Sequence, residues 1–263
     1  MSGFSRWLAL REAADAAARA PDLLATVQAA LAGRDRIVVH DLGCGTGSMA
    51  RWLAPRLPGT QHWILYDRDP ALLAEAARRL AGCAAADGAP VTVRTRRQDI
   101  TTARLDGADL VTASALLDML TAAELDRVVA ACAGHPTWFT LSVTGQVALA
   151  PPEPLDAAVR AAFNAHQRRT TGGRTLLGPD AADAAVEAFT RRGIGTRVRD
   201  TPWRLGADQA ALAGAWFAGW VRAAAEQEPA LELGGYTDRR TAQLAAGVLA
   251  VTVAHQDVLA GCE

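Results

Sequence analysis

A glycine-rich turn follows a short apolar run near residue 40 and carries the strongest chemical signal in the sequence. Residues 38–48 read VVHDLGCGTGS, an acid followed by three alternating glycines: Asp41, Gly43, Gly45 and Gly47. Because glycine lacks a Cβ, such a turn lets the backbone approach a bound ligand closely. The helix that follows offers unpaired N–H groups to an anion, either a phosphate or a carboxylate.

The spacing of these glycines distinguishes between nucleotide cofactors. Dinucleotide-binding turns have the pattern G-x-G-x-x-G, whereas this turn has G-x-G-x-G with an acid two residues before its first glycine. A carboxylate repels a pyrophosphate but helps to hold an ammonium group. The spacing therefore favours S-adenosylmethionine, whose methionyl part carries an ammonium group, over NAD.

Two further acids end the next two apolar runs. Asp67 closes HWILYD, about 20 residues past the last glycine, where a carboxylate can accept hydrogen bonds from ribose hydroxyls. Asp99, in RQDI, is expected to accept from an adenine amino group, and Ile100 is expected to pack on the ring. Acids at three successive strand ends predict one continuous binding site.

Alternating strands and helices must position these residues. The predicted strands are 37–42, 62–67, 91–99, 108–114, 137–143, 195–201 and 248–255. The predicted helices are 5–19, 21–33, 48–57, 70–82, 121–133, 155–168, 180–192, 208–227 and 237–246. This alternation indicates right-handed βαβ units and a parallel sheet. We expect the third strand at a sheet edge, because Arg94, Arg96 and Arg97 are hard to bury centrally.

Residues 36–144 resemble the class I S-adenosylmethionine-dependent methyltransferases. VVHDLGCGTG is similar to the glycine motif of that family and YDRDPALL to its ribose-binding strand end. RQDI is similar to its adenine-binding acid and DLVTASALLDML to the segment that lines the transfer site. The resemblance implies an α/β fold: a Rossmann-like, doubly wound, seven-stranded, mostly parallel sheet with N-terminal helices and a helical cap insertion. It also implies a reversed last strand, VLAVTVAH, near one edge.

The resemblance assigns the cofactor contacts residue by residue. They are Asp41, Gly43, Cys44, Gly45, Gly47, Asp67, Arg68, Asp99, Ile100 and Ser114. The first acid and the glycines hold the methionyl end, and Ser114 lies near the sulfonium. Arg68 is either at the adenine flank or a solvated loop charge. Cys44 fills space and is not a nucleophile, because nothing nearby in the sequence supplies a base.

The acceptor side of the site is expected in the cap. His166 is a candidate general base, and its neighbours Arg168, Arg169 and Arg174 are suited to an anionic acceptor, although a solvated helix face is the alternative. Asp118 is a second candidate catalytic residue or, alternatively, an acid at a helix start. Trp216 and Trp220 place two indoles on one helix face, for core packing or for stacking on a flat substrate. A site role for His255 stays open.

Composition limits the partners. There are 27 basic and 28 acidic residues, so the net charge of -1 provides no long-range attraction for nucleic acid or an anionic membrane. The segment SALLDML also lacks the N/D-P-P-Y/F pattern of enzymes that methylate amino groups of nucleic acids. A small-molecule acceptor is expected. The alternatives are a protein or RNA methyltransferase and a biosynthetic protein that binds adenosylmethionine without transferring methyl.

Four scattered cysteines, with no C-x-x-C pair and no secretory signal, predict free thiols and a cytoplasmic protein. No apolar stretch reaches the roughly 18 residues of a membrane span, and no ligand spacing suggests a metal. Residues 1–263 are expected to form a single domain: N-terminal helices in 1–35, a cofactor-binding core in 36–150, the cap in 151–180, and the rest of the sheet with added helices in 181–263.

Overall fold

The carboxyl ends of five parallel strands lie along one edge of the central sheet and position the predicted site. The computed structural model describes residues 3–262. Its first five strands are β1 (Arg36–Leu42), β2 (Thr60–Asp67), β3 (Val91–Arg97), β4 (Leu110–Ser114) and β5 (Thr137–Ala150). The later ones are β6 (Thr170–Thr171), β7 (Arg174–Thr175), β8 (Thr196–Asp200), β9 (Trp203–Leu205) and β10 (Ala250–Ala260). The sheet order is β3-β2-β1-β4-β5-β10-β8, with β9 also on β10.

Local signals start the helices close to the strand ends. Asp69 accepts a hydrogen bond from the Ala71 amide at 2.8 Å just before Pro70, and Thr121 and Glu124 form a capping box. The helices are α1 (Gly3–Ala18), α2 (Pro21–Ala30), α3 (Ser48–Leu53), α4 (Pro70–Arg79), α5 (Ala122–Cys132), α6 (Asp156–Gln167), α7 (Ala181–Thr190), α8 (Ala210–Gln227) and α9 (Gly234–Ala245). None of the helices within residues 3–262 is long and apolar enough to cross a membrane.

Apolar residues on both faces of the sheet form the core. Helices α2, α3 and α4 pack over Ile37 and Trp63 on one face. Helices α5 and α7 pack over Val111 and Phe139 on the other. A third apolar cluster joins α6, α8 and α9 to β9 and to the first half of β10. Since both faces are covered, the β-branched run of β1 is buried.

The predicted fold is confirmed, with corrections at its C-terminal side. The sheet is mostly parallel, β3 lies at an edge, and β10 runs antiparallel to β5 as the expected reversed strand. However, β5 continues to Ala150 rather than ending at residue 143, and β10 spans 250–260 rather than 248–255. Each strand is prolonged by pairing with the other, which no local pattern could indicate.

A buried acid on β10 distorts β5 where it passes the site. The pairing shifts register around Asp257, and Leu141 takes the left-handed conformation with φ of 57°. The Asp257 carboxylate accepts hydrogen bonds from the Leu141 amide at 2.9 Å and the Thr201 hydroxyl at 3.0 Å. These bonds stabilise a β-bulge that directs the β5 backbone toward the end of β4.

An internal ion pair fixes the start of the cap segment. The side chain of Arg240 is fully buried and donates to both carboxylate oxygens of Asp156, at 2.5 and 2.7 Å. It also donates to the Pro151 carbonyl at 2.6 Å, and the Tyr236 hydroxyl donates to Asp156 at 2.8 Å. Helix α9 thereby holds the end of β5 and the first turn of α6 together.

We predict that Arg240→Leu lowers the free energy of unfolding by about 3–5 kcal/mol, because it leaves the Asp156 charge without its partner. Replacing the adjacent Arg239 by Gln is the matched control. Its pair with Glu153 is 58% exposed on the arginine side, so the expected loss is only about 0–1 kcal/mol. Urea unfolding measures both, and equal losses would contradict the prediction.

Candidate functional site

A cavity of about 480 Å³ lies at the carboxyl ends of β1, β2 and β4. Its walls include many of the residues expected to contact a cofactor. These are Asp41, Gly43, Cys44, Gly45, Asp67, Arg68, Ile100 and Ser114. The volume is within the range of about 300–1,000 Å³ that is usual for small-molecule and cofactor sites.

Asp41 gives this cavity a defined electrostatic preference. Its carboxylate is 1% exposed, and one oxygen accepts a hydrogen bond from the Thr112 hydroxyl at 2.7 Å. The other oxygen, Oδ2, has no hydrogen-bond donor among residues 3–262. Burial raises the pKa of Asp41 to about 7, although the Thr112 hydrogen bond opposes this shift. An ammonium group at Oδ2 would satisfy both the missing hydrogen bond and the charge.

The glycines of the turn have different roles. Gly43, Gly45 and Gly47 have φ of 63°, 54° and 79°, a region that favours glycine. A Cβ on Gly43 would lie 2.8 Å from the Leu116 side chain, and a Cβ on Gly45 would lie 3.1 Å from Leu8. The structure does not bring Gly47 to the cavity wall. It begins α3, where a Cβ would crowd α4, so its lack of a side chain serves helix packing.

Asp67 and Asp99, the acids at the end of β2 and just after β3, differ in their position relative to the cavity. Asp67 lines the cavity and accepts from the Gly45 amide at 3.0 Å, which leaves lone pairs for ribose hydroxyls. Asp99, in contrast, does not line it. Its carboxylate caps the following turn through the Thr101 amide and pairs with Arg68 at 2.6 Å. The neighbouring Gln98 lines the wall instead.

Three small or apolar side chains complete the wall. Ile100 is 8% exposed at the end predicted for the adenine, and Ser114 accepts from Arg19 at 3.3 Å. Cys44 is buried, and burial raises the pKa of its thiol far above the ordinary range. Its thiol is therefore protonated at neutral pH, which agrees with a space-filling role.

Helix α1 covers the cavity and was not predicted to belong to the site. Trp7, Leu8, Arg11 and Asp15 line the wall. In the same helix, Glu12 accepts from Arg51 at 2.8 Å and from Arg79 at 2.9 Å. Since Arg51 also donates to the Thr46 carbonyl, α1 is tied to the glycine-rich turn itself. The sequence does contain a feature that could have indicated that α1 lines the cavity: Trp7, Arg11 and Asp15 are four residues apart and therefore share one helix face.

A second cavity of about 210 Å³ adjoins the first. Trp7, Arg11, Ala115 and Asp118 line both. The remaining wall comes from residues that are far apart in the sequence: Leu141, Val143, Gly145, Gln146, Val147, Phe163, Gln167, Trp203, Trp216, Val253 and His255. Trp216 and His255, whose roles the sequence left open, thus both line this cavity.

Among residues 3–262, Asp118 is the one carboxylate that lines both cavities. It lies on a 3₁₀ turn directly after β4 and is half-buried. Burial raises the pKa of Asp118 to about 6, with the nearby Arg11 opposing the shift. A carboxylate with a pKa near neutrality is suited to accept a proton at physiological pH.

The structure does not bring His166, Arg168 or Arg169 to either cavity. His166 contacts Glu226 at 3.1 Å, and Arg169 donates to His166. Arg168 forms two hydrogen bonds to Asp180, at 2.5 and 2.6 Å. Each of these side chains already has a partner within the protein, and the group lies near the surface, as the solvated alternative predicted.

Arg174 differs from the other cap arginines. It lines the first cavity but donates to Glu124 at 2.7 Å and to the Met119 carbonyl at 3.1 Å. The cap therefore contacts the acceptor side mainly through Phe163 and Gln167, which sequence reasoning missed. Within residues 3–262, no group of three or more His, Cys, Asp or Glu side chains is arranged to hold a metal ion.

Comparisons with known proteins agree with this architecture. Residues 39–135 match a family of sequences described as a methyltransferase domain, and no curated protein matches the chain. The structure is similar to that of the YcgJ protein from Bacillus subtilis, at 13% identity and a TM-score of 0.52, over 91% of this chain and 98% of that one. A cyclopropane synthase from Mycobacterium tuberculosis has 12% identity and a TM-score of 0.51, over 91% and 83%. The predicted resemblance and the Rossmann-like fold are confirmed.

We predict that Glu12→Gln loosens α1, since it replaces the ionic bonds to Arg51 and Arg79 with weaker neutral ones. Amide hydrogen exchange within 3–18 should accelerate, and affinity for S-adenosylhomocysteine should fall about fivefold, equivalent to about 1 kcal/mol. The matched control is Glu75→Gln, which removes a 3.9 Å contact of Arg79 that does not involve α1. If both variants behave like the wild type, α1 is not held by Glu12.

Proposed function

We propose that this chain, whose residues 39–135 form a methyltransferase domain of the class I fold, transfers a methyl group from S-adenosylmethionine to a small molecule. The observation that carries the proposal is the meeting of two cavities at one carboxylate. The larger cavity offers an ammonium site at Asp41, and the smaller one adjoins it at Asp118. When bound, S-adenosylmethionine supplies an activated methyl group on its sulfonium.

The first cavity holds the cofactor through groups of this chain. Oδ2 of Asp41 receives the ammonium group, and the glycine-rich turn allows the methionyl part to approach the backbone. Asp67 accepts from the ribose hydroxyls, and Ile100 packs against the adenine, with Gln98 in the position first expected for Asp99. Helix α1 excludes water from this end of the site, which strengthens each of these electrostatic contacts.

The second cavity orients the acceptor, and Asp118 takes its proton. The acceptor oxygen or nitrogen gains the methyl group and its proton goes to the Asp118 carboxylate. The electron pair of the broken carbon–sulfur bond remains on sulfur. Alignment of the reacting groups contributes most of the acceleration, about 7–11 kcal/mol in favourable cases. Proton removal by Asp118 adds the smaller part.

A small-molecule acceptor is supported by the size of the second cavity, since about 210 Å³ matches the volume of one small molecule. The cap gives little support for an anionic acceptor, because all four groups expected there, His166, Arg168, Arg169 and Arg174, already have partners within the protein. Within the proposal, residues 1–263 act as a single domain and 151–180 as its cap. A cytoplasmic location is part of the proposal and rests on four cysteines that are free in the described structure.

Cofactor affinity should depend on pH through Asp41. An ammonium group stabilises the ionised carboxylate, so its pKa falls on binding from about 7 in the free protein. Affinity for S-adenosylhomocysteine should therefore drop as the pH is lowered below 7, by up to about tenfold per unit. Calorimetric titration between pH 5.5 and 8 measures this. Methylthioadenosine, which lacks the ammonium group, should bind with little pH dependence.

Two variants show which carboxylate causes the pH dependence of the affinity for S-adenosylhomocysteine. Asp41→Asn should abolish this pH dependence. Asp118→Asn, which removes the other carboxyl group of the cavity with a raised pKa, should retain it. Absence of any binding by S-adenosylhomocysteine to the folded wild type would refute the proposed function.

Replacing Asp118 by Asn should impair transfer without affecting cofactor binding. Methyl incorporation from labelled S-adenosylmethionine into a protein-free cell extract should fall about 10²–10⁴-fold, the usual contribution of a general base. The wild-type rate should rise with pH through about 6, the raised pKa of Asp118, and the variant should lose that dependence. Unchanged turnover would show that Asp118 does not take the proton. Tight cofactor binding with no transfer by the wild type would instead favour the non-methylating alternative.

A further inference from the structure

The second cavity is lined by aromatic rings contributed by four separate elements. They are Trp7 of α1, Phe163 of α6, Trp203 of β9 and Trp216 of α8. The centroids of Trp7 and Trp203 lie 6.3 Å apart, and the Trp216 ring stacks on Trp220 at 5.2 Å. Trp220 thereby fixes the orientation of an indole that faces the cavity. Such flat, rigid surfaces favour a ligand with an extended π-face.

Two buried polar atoms on this wall lack partners. Nδ1 of His255, a residue that is 3% exposed, and Oε1 of Gln167 accept no hydrogen bond from any residue within 3–262. Burial lowers the pKa of His255 to about 3, so its ring is neutral and can accept one hydrogen bond. Since a buried acceptor without a hydrogen bond destabilises the protein, a ligand with two donors would gain from this arrangement.

The charges around the cavity oppose an anionic ligand. Arg11 is paired with Asp15 at 2.9 Å, and its guanidinium lies over the Trp203 ring at 5.0 Å. Its positive charge is therefore already balanced by Asp15, and its guanidinium is already stacked on an aromatic ring. The other charged group is Asp118, at the junction with the first cavity. An anion would meet no free cation here and would be repelled by the Asp118 carboxylate.

We infer that the second cavity binds a planar aromatic or heteroaromatic molecule without a negative charge that has two hydrogen-bond donors, one for His255 Nδ1 and one for Gln167 Oε1. The inference rests on the proposed function, in which this cavity holds the acceptor. Its size agrees: a dry cavity of about 150 Å³ accommodates one benzene ring. About 210 Å³ therefore accommodates a substituted ring or a small fused pair.

The test uses 5-hydroxyindole, a flat probe with one N–H and one O–H donor, on protein saturated with S-adenosylhomocysteine. Calorimetric or ligand-observed NMR titration should show binding at one site. Two comparison probes keep the ring: 5-methoxy-1-methylindole lacks both donors, and indole-5-carboxylate is an anion. Each should bind at least about tenfold more weakly. Equal binding of all three would overturn the inference.

Variants of the cavity wall test where 5-hydroxyindole binds. Gln167→Leu removes one acceptor at similar volume, and Trp216→Ala removes an aromatic wall; each should weaken 5-hydroxyindole about fivefold to tenfold. Trp138→Phe is the matched control, because this buried tryptophan lines neither cavity. The affinity of this variant for 5-hydroxyindole should equal that of the wild type. If Trp216→Ala fails to fold, Gln167→Leu and the probe series suffice. Normal affinity in Gln167→Leu would overturn the assignment.

The experiments distinguish failure of the proposed methyl transfer from failure of the inferred ligand class. If S-adenosylhomocysteine binds and 5-hydroxyindole does not, the aromatic class is wrong while cofactor binding stands. If S-adenosylhomocysteine does not bind, the proposed function is wrong, and titration of the free protein with 5-hydroxyindole then decides the aromatic class alone.

Discussion

The site is organised by a buried carboxylate that is only half satisfied. Asp41 lies at the carboxyl end of the central strand β1, where both faces of the sheet are covered and water is excluded. Thr112 of the neighbouring strand bonds one oxygen and leaves the other toward the cavity. Because a buried oxygen without a hydrogen-bond donor is costly, the arrangement is more stable when a cationic donor meets that oxygen. The glycine-rich turn makes room for it, and α1 keeps solvent away.

Irregular backbone separates this cofactor end from the acceptor end. Ala115 and Leu141 both take left-handed conformations, with φ of 49° and 57°, and both line the second cavity. Such conformations cost about 1–3 kcal/mol each in residues other than glycine. The hydrogen bond from the Leu141 amide to Asp257 offsets part of this cost. The bulge thus forms a wall that a regular strand would not provide, next to the carboxylate of Asp118.

Sequence reasoning failed where pairing partners were distant in the chain. His166, Arg168 and Arg169 form a basic group that suggested an anion site. However, His166 contacts Glu226, Arg168 pairs with Asp180 and Arg169 donates to His166. Asp99 follows a strand as expected, yet Arg68 and the turn after it occupy its carboxylate. A carboxylate or guanidinium bonds to whatever opposite charge the fold brings near, and spacing along one segment does not show that partner.

The sequence by itself determined the parallel core, the edge position of β3 and the grouping of Asp41, Asp67 and the glycines. These follow from local periodicity, from backbone dihedrals that require glycine, and from the rule that parallel strands end at the same sheet edge. Only the tertiary structure decided that α1 covers the cavity and that Trp7, Phe163, Trp203 and Trp216 form one aromatic wall. Those contacts join segments up to two hundred residues apart, and they form because each apolar face must bury itself against another.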